Sequence, residues 1–587
     1  MSETMTGAAN WQATLDLDEL KTGGMSVWKQ DGQQIVLCRT EEDEVFALDN
    51  RCPHEGYPLN TGDLNGCALT CCWHNWKFDV RSGACTMGEE SVRSFPVRVV
   101  DGTVEVDLAE PDPSAAWPDL LKSFDEGLRK HQVARSVRDG VRLLQKGFDP
   151  QRLLACIALY DARHGEYGST HATPIAADAG RLLERYTNLK AMYPIAVAID
   201  MCGDANRLRP ARSRPDAIPG GDLDGLRKAV EAEQVPRALG LLRGAFDAGV
   251  ALPEIDRWMF TLISDHFLNF GHDLIYLTKV QELLQRLVPQ AGDRELIEEI
   301  YGGLLYSICT GTREDSLPYM QGYMTRFAEF ETQQAQAWAP ARTGPGNPAL
   351  AEWVRTAALD GSLKDAVQRL TEALACGTSL EQLARALVSA AATRLLRFNV
   401  ALDTDPSVAE TWLWATHRLT FACAARLAVE RMDDPRAVHF LLQSLAFTHS
   451  GRGMDLPPDE RSEALAQPME LDEVLQAIGA QDCSRALAGT LHHLDDPSRR
   501  QALREALEDL CLSDSLVRPI VVVHAIKTLV VAFEEYEVAA DSPGRALPVL
   551  ATVRMLSSPI QERRIREAVQ RSIEWVGEGK MPRKLTQ

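Results

Sequence analysis

At 587 residues the chain is too long for one hydrophobic core, and two to four domains are expected. An apolar content of 45% with 25% charged residues is that of an ordinary globular chain, and 83 acidic against 62 basic side chains give a net charge of −21, which argues against nucleic acid as a partner. The N-terminal Met-Ser-Glu-Thr-Met-Thr-Gly lacks the basic and apolar regions of a secretory signal, and no apolar run approaches the ~20 residues that span a bilayer, so a cytoplasmic location without membrane contact is expected.

The first hundred residues read as short strands. Gln34-Ile-Val-Leu-Cys-Arg39 and Glu44-Val-Phe-Ala-Leu48 are β-rich runs separated by a charged turn. Further on, Phe95-Pro-Val-Arg-Val-Val100 and Thr103-Val-Glu-Val-Asp-Leu108 flank Asp101-Gly102, a dipeptide suited to the positive φ angles of a type I′ hairpin. Residues 1–112 therefore form a small antiparallel β domain. It holds 20 Asp and Glu against 8 Lys and Arg, a net charge of −12, which suits either electrostatic steering towards a basic partner or a plain solvated surface.

Within that domain Cys52-Pro-His54 and Cys71-Cys-Trp-His74 stand sixteen residues apart. One thiol and one imidazole from each of two short loops is the ligand set in which two histidines replace two thiolates on one iron of a [2Fe-2S] cluster. Zinc accepts the same four ligands. The flanking Pro53, Gly56, Trp73, Trp76 and Phe78, together with the hairpin, favour the cluster. The other cysteines, Cys156, Cys202, Cys309, Cys376, Cys423, Cys483 and Cys511 beyond the β domain, have no C-x-x-C spacing and read as reduced, mostly buried thiols.

Residues 34–107 resemble the Rieske domains of soluble ferredoxins and ring-hydroxylating oxygenases, through Cys52-Pro-His-Glu-Gly-Tyr-Pro-Leu, Cys71-Cys-Trp-His-Asn-Trp-Lys-Phe-Asp and the turn Val80-Arg-Ser-Gly-Ala. The resemblance implies that Cys52 and Cys71 hold the buried ferric iron and that His54 and His74 hold the outer, reducible one. Two departures stand out. Tyr57 and Trp73 occupy the places where respiratory Rieske proteins carry a loop disulfide, and Asn75 replaces the glycine that usually follows the last histidine. Asn tolerates positive φ, so the loop conformation is expected to survive. Without the disulfide or a hydroxyl after His74, the potential is expected at the low end of the Rieske range, about −150 mV.

Pro111, Pro113 and Pro118 mark a linker, after which the character changes. From about residue 119 to 579 the sequence is a series of amphipathic helical segments, such as Leu226–Phe246 and Leu363–Leu396. Irregular stretches at Leu208–Asp224 and Ala339–Pro348 interrupt them, and the second divides two helical halves, 113–340 and 341–587. Leu268-Asn-Phe270 aligns with Leu396-Arg-Phe398, and His272-Asp-Leu-Ile-Tyr276 with His417-Arg-Leu-Thr-Phe421. The expected fold is multidomain, a small all-β domain followed by a large all-α domain built as a helical array or a pseudo-duplicated bundle.

If the halves are related, His272 and His417 face one another across a pseudo-twofold axis, with His171 as a further candidate for a catalytic site. His164, His266, His439, His449 and His524 also stand in or near helices, where a bundle builds metal sites. An additional iron in the helical domain is the candidate electron acceptor. No E-x-x-H, no G-x-G-x-x-G after a strand and no P-loop occurs, so electrons are expected from an external reductase or ferredoxin reductase. Gly271-His-Asp-Leu-Ile-Tyr276, Tyr167-Gly-Ser-Thr-His171 and His524-Ala-Ile-Lys527 followed by Glu534-Glu535 resemble questin-oxidase-like proteins, all-helical enzymes that open aromatic polyketide rings. That resemblance implies that His171, His272 and Lys527 line a substrate cavity. Two functions are therefore expected as alternatives: an oxidoreductase that passes electrons to an oxygen-dependent oxidation of a small organic substrate in its helical domain, or an electron carrier fused to a helical docking scaffold without catalysis of its own.

Overall fold

The computed structural model describes residues 9–580 apart from 31, 110–111, 288, 290–291, 332–337, 340, 406–407, 409–410, 462, 540–541 and 563–564. The N-terminal heptapeptide, Pro111 and Pro340 lie outside the described residues. The chain divides into two compact units. One runs to residue 127 and adds 134–148; the other takes 128–133 and the chain from 149 onward.

The first unit carries eleven described strands: β1 Trp11–Asp16, β2 Gly24–Gln30, β3 Gln33–Arg39, β4 Val45–Asp49, β5 Asp63–Asn65, β6 Ala68–Thr70, β7 Lys77–Asp79, β8 Cys85–Met87, β9 Ser94–Phe95, β10 Val97–Val100 and β11 Thr103–Asp107. They form three antiparallel sheets in the orders β1-β11-β10, β2-β3-β4-β9 and β5-β6-β7-β8. Asp101 (φ 50°) and Gly102 (φ 84°) close the β10–β11 hairpin between Val100 and Thr103, as the dipeptide predicts. The same unit continues past the proline-rich stretch. Helices Trp117–Lys130 and Val133–Gln145 follow it, and Arg138 and Arg142 of the second clamp the buried Glu90 of the β domain.

The second unit is helical. Both long segments taken as examples from the sequence are helix pairs. Leu223–Glu231 and Val235–Asp247 part at Glu233 (φ 53°), just before Pro236; Leu363–Ala375 and Leu380–Leu396 part at Gly377 (φ 71°). Periodicity runs through such corners because both helices bury the same face. Four helices form a closed ring at the centre: Ala172–Leu182 packs on His272–Gln285, that on Trp412–Arg431, that on Pro519–Val538, and the last returns to the first. Nearly every side of these helices is buried, which suits core helices and explains why they lack a clean polar stripe. Among the described residues no helix is long and apolar enough to cross a membrane.

One local pattern occurs twice in this unit. Leu268 bridges Arg313, flanked by Asn269 N to Thr312 O at 2.9 Å and Glu314 N to Phe267 O at 2.9 Å. Phe398 bridges Asp455, flanked by Asn399 N to Met454 O at 2.8 Å and Leu456 N to Arg397 O at 2.6 Å.

Candidate functional sites

In the first unit the two loops are built alike. Cys52 N donates to Tyr57 O and Cys71 N to Trp76 O, each at 2.8 Å, so each cysteine starts a tight turn that returns the chain beneath its own histidine. Asn75 takes φ 58° and Gly56 φ 77°, the left-handed positions these turns need. Cys52 and Cys71 belong to the core with Leu59, Leu69, Phe78 and Val80, whereas His54 is half-buried and His74 exposed. The two imidazoles face each other Nδ1 to Nδ1 at 3.1 Å. The His54 ring stacks on Trp76 (4.6 Å between centroids), and Trp73 stacks on Tyr57 (4.8 Å). Burial pushes the Cys52 thiol up to about 11, with Cys71 beside it adding to the shift. Two sealed sulfurs on the inner side and two converging ring nitrogens on the outer side match the donor set of a Rieske cluster, and cluster assembly displaces the thiol protons that burial otherwise retains.

Comparison with known proteins agrees with this geometry. The model of the Rieske [2Fe-2S] domain matches residues 10–98. The ferredoxin component of the naphthalene 1,2-dioxygenase/salicylate 5-hydroxylase systems of a Ralstonia species is 32% identical over 92 residues, with 88% of its length covered. The chain belongs to the Rieske [2Fe-2S] family. Residues 10–98 are a Rieske [2Fe-2S] domain, whose cofactor is a [2Fe-2S] cluster. Oxidoreductase NdmD of Pseudomonas putida is 27% identical over 168 residues, and a 4beta-methylsterol monooxygenase of Methylococcus capsulatus 33% over 106. The chain spans 27% and 28% of the length of these two relatives, which match 26% and 15% of this chain. The ferredoxin of carbazole 1,9a-dioxygenase from Nocardioides aromaticivorans is a similar solved structure at 30% identity, with 96% of it and 16% of this chain covered and a TM-score of 0.16.

In the second unit the Rieske chain brings ring nitrogens of His171, His272 and His417 within 4.8 Å of one another, and His524 adjoins His417, so that each helix of the ring supplies one histidine. His171 precedes Ala172–Leu182, His272 opens His272–Gln285, and His417 and His524 stand within the other two helices. Their Nε2 atoms follow one another at 3.2 Å (His171 to His272), 2.7 Å (His272 to His417) and 3.3 Å (His417 to His524). The Nδ1 atoms of three rings meet backbone carbonyls: His272 that of Asn269, His417 that of Leu413 at 2.5 Å and His524 that of Ile520 at 2.6 Å. A carbonyl only accepts, so each of these Nδ1 atoms carries the proton and each Nε2 carries a lone pair. Burial drives the pKa of all four imidazoles down, His272 to about 3, and the Lys527 charge lowers them further. Three neutral rings thus aim lone pairs at one another, an arrangement that repels unless a cation lies among them. Neighbouring nitrogens on a shared ion at 2.0–2.1 Å are about 3.0 Å apart at right angles and about 3.4 Å apart at the tetrahedral angle, close to the spacings here.

The supporting residues are as specific. Asp161, fully buried, accepts from Thr170 N at 2.8 Å, Thr170 Oγ1 at 2.6 Å, Thr173 Oγ1 at 2.7 Å and Asn206 Nδ2 at 2.9 Å, which pins the turn that presents His171. Asp273 accepts from Ser307 Oγ at 2.6 Å and Asn269 Nδ2 at 3.0 Å; burial pushes its carboxyl up to about 6. Asn269, Phe270 and Gly271 all take positive φ before His272, a strained corner that delivers both the ring and its carbonyl partner. Tyr276 Oη lies 3.4 Å from His171 Nδ1.

Of the histidines singled out from sequence, His171, His272 and His417 come together, and His524 joins them. His164 stacks on Tyr160, His266 pairs with Asp315 and Glu231, His439 faces Ser264 O, and His449 meets Tyr323, each away from the cluster. Lys527 lies on the His524 face of its helix, fully buried, where burial lowers its ammonium to about 7. His524 had a readable signal in its three-residue spacing from Lys527 on one apolar helix. The roles of Asp161 and Asp273 had none.

Proposed function

We propose that this Rieske protein accepts electrons one at a time from a separate reductase and passes them to an oxidation site in its helical unit, where molecular oxygen is used on a small organic substrate in the cytoplasm. The observation that carries this reading is the convergence of His171, His272 and His417, with His524 beside His417 and the Nε2 lone pairs of His272, His417 and His524 facing their neighbours, a cradle for an additional iron. Cys52 and Cys71 through sulfur, and His54 and His74 through Nδ1, would hold the cluster, which when bound takes up and releases single electrons.

The chain's own residues supply the rest. The exposed edge of His74 and the half-buried His54 give the cluster an outlet to a partner, while the buried cysteines insulate its other side. In the helical unit, Asn269, Leu413 and Ile520 orient three rings through their Nδ1 protons, and Tyr276 Oη lies 3.4 Å from His171 Nδ1. Insertion of one oxygen atom into a substrate with the other leaving as water consumes two electrons and two protons per turn, so two deliveries from the reductase serve each cycle.

The test is iron counting and electron paramagnetic resonance on the anaerobically purified full chain. About three irons per chain, falling to about two in the His272→Ala/His417→Ala double variant with the Rieske signal intact, is the expected result. Two irons in both proteins would overturn it and leave the electron-carrier reading, in which the helical unit is a docking scaffold.

A further inference from the structure

The first cluster loop is gripped by a side chain from beyond the matched Rieske residues 10–98. Arg142, in the helix Val133–Gln145, donates through Nη2 to Pro53 O at 3.3 Å. Its Nη1 is fixed by two buried carboxylates, Glu90 Oε2 at 2.6 Å and Asp139 Oδ1 at 2.8 Å, and Arg138, one turn earlier, closes on Glu90 as well (Nε to Oε1, 3.1 Å). The acids hold one arm of the planar fork, so the other arm is aimed at the loop.

The carbonyl that Arg142 meets belongs to the peptide between Pro53 and His54. The N–H of that same peptide is the one on His54, and it donates to the Cys52 sulfur together with the N–H of Glu55, which lowers the thiol's pKa against the larger effect of burial. Arg142, the Pro53–His54 peptide and Cys52 Sγ thus form one chain of donors and acceptors. In such a chain each hydrogen bond polarises the next, by about 10–30% per bond. Hydrogen bonds to the sulfurs are among the factors that set the potential of an iron–sulfur cluster. Two arginines balance two carboxylates here, so the group's field at a distance is small and its effect passes through the contact.

We propose that Arg142 makes the cluster easier to reduce by strengthening, through the Pro53–His54 peptide, the hydrogen bond that His54 N–H gives to the Cys52 sulfur. Arg142 touches neither sulfur nor iron, so it is a positioning residue, and nothing in the proposal depends on a metal in the helical unit. An electron taken up by the cluster raises the negative charge on its sulfurs, and a more polarised N–H stabilises that charge with no proton transferred and no bond broken.

The test is a redox titration of the full chain with its cluster assembled, followed by electron paramagnetic resonance of the reduced form, in the parent, Arg142→Gln, Arg142→Lys and Arg138→Gln. Arg142→Gln is expected to lower the one-electron reduction constant about threefold or more, which is about 28 mV at 59 mV per tenfold, and to move the Fe–S(Cys) stretching bands in resonance Raman spectra. Arg138→Gln loosens the clamp on Glu90 without touching Pro53 and is expected to leave the potential unchanged. Lysine in place of Arg142 keeps the charge, but its single ammonium follows Glu90 and Asp139 and leaves Pro53 O without its donor, so Arg142→Lys is expected to fall with Arg142→Gln. A parent-like potential in Arg142→Gln overturns the proposal, and so does an equal drop in Arg138→Gln, which assigns the effect to the clamp. Should Arg142→Gln not retain the cluster, Arg142→Lys decides in its place by the same criterion.

Discussion

The Nε2 atoms of His272 and His417 lie 2.7 Å apart, although both rings give their Nδ1 protons to backbone carbonyls. Two lone pairs at that separation are held together by the backbone that carries them, the interior of Trp412–Arg431 for His417 and the positive-φ corner Asn269–Gly271 for His272. Gly271 sits at φ 81°, and a Cβ there would meet the Phe421 ring at 2.2 Å. Gly271→Ala is therefore expected to shift His272 away from its neighbours. A metal affinity lower by roughly 10- to 100-fold is expected from disturbed orientation of a ligand, with a stability loss of about 1–3 kcal/mol from the backbone strain. Equilibrium dialysis of the metal and urea unfolding measure the two effects separately.

The turn before His171 depends on one carboxylate in the same way. Asp161 accepts four hydrogen bonds with no exposed surface, so Asp161→Ala leaves four donors facing an apolar gap. A destabilisation of about 3 kcal/mol or more is expected. Asp161→Asn, which keeps the shape but turns an N–H₂ towards other donors, is expected to fall between the two proteins. Chemical denaturation of the three chains orders them.

These supports explain how far the sequence could be read. The Rieske loops were legible because every element of them is local: a cysteine, a turn and a histidine within three or four residues, with Asn75 tolerating the φ of 58° that its position requires. The helical site was half legible. His272 and His417 stood out because His272-Asp-Leu-Ile-Tyr276 aligns with His417-Arg-Leu-Thr-Phe421, yet the bridge that occurs twice pairs Leu268 with Arg313 and Phe398 with Asp455. The equivalent of Leu268 is thus Phe398, two residues from the match with Leu396, since Leu-rich helix ends align in several registers while a hydrogen-bonded bridge has one. Closure of the four-helix ring, which brings in His524, depends on contacts between residues hundreds of positions apart and leaves no trace in local pattern.

The cluster site makes its own prediction. No disulfide ties the two loops, whose ring partners Tyr57 and Trp73 stack instead. With few groups to stabilise added negative charge, a midpoint potential near the low end of the family, about −150 mV, is expected in a redox titration. Gly88, at φ 133°, lies where a Cβ would meet Trp76 at 2.5 Å, and Trp76 carries the His54 ring. Gly88→Ala is expected to change the paramagnetic resonance lineshape of the reduced cluster without lowering its iron content. An unchanged spectrum would show that the Trp76 stack does not orient His54.

The last prediction concerns pH and a histidine outside both sites. His266 Nδ1 meets Asp315 at 2.8 Å and its Nε2 meets Glu231 at 3.0 Å. The hydrogen bond to Asp315 raises its pKa above the ordinary value, with Glu231 adding and burial and Arg313 opposing. A histidine whose folded pKa is raised stabilises the fold fully below its unfolded pKa of about 6.5, and the contribution fades as pH rises through the folded value. Because Glu231 is exposed, about 1 kcal/mol is the expected size. Asp315→Asn should therefore be less stable than the parent chain near pH 5.5, and the gap should narrow towards pH 9, where only the neutral hydrogen bond to Asp315 remains. Thermal unfolding at a series of pH values checks the sign: a gap that widens with pH would mean that His266 is neutral in the folded chain throughout.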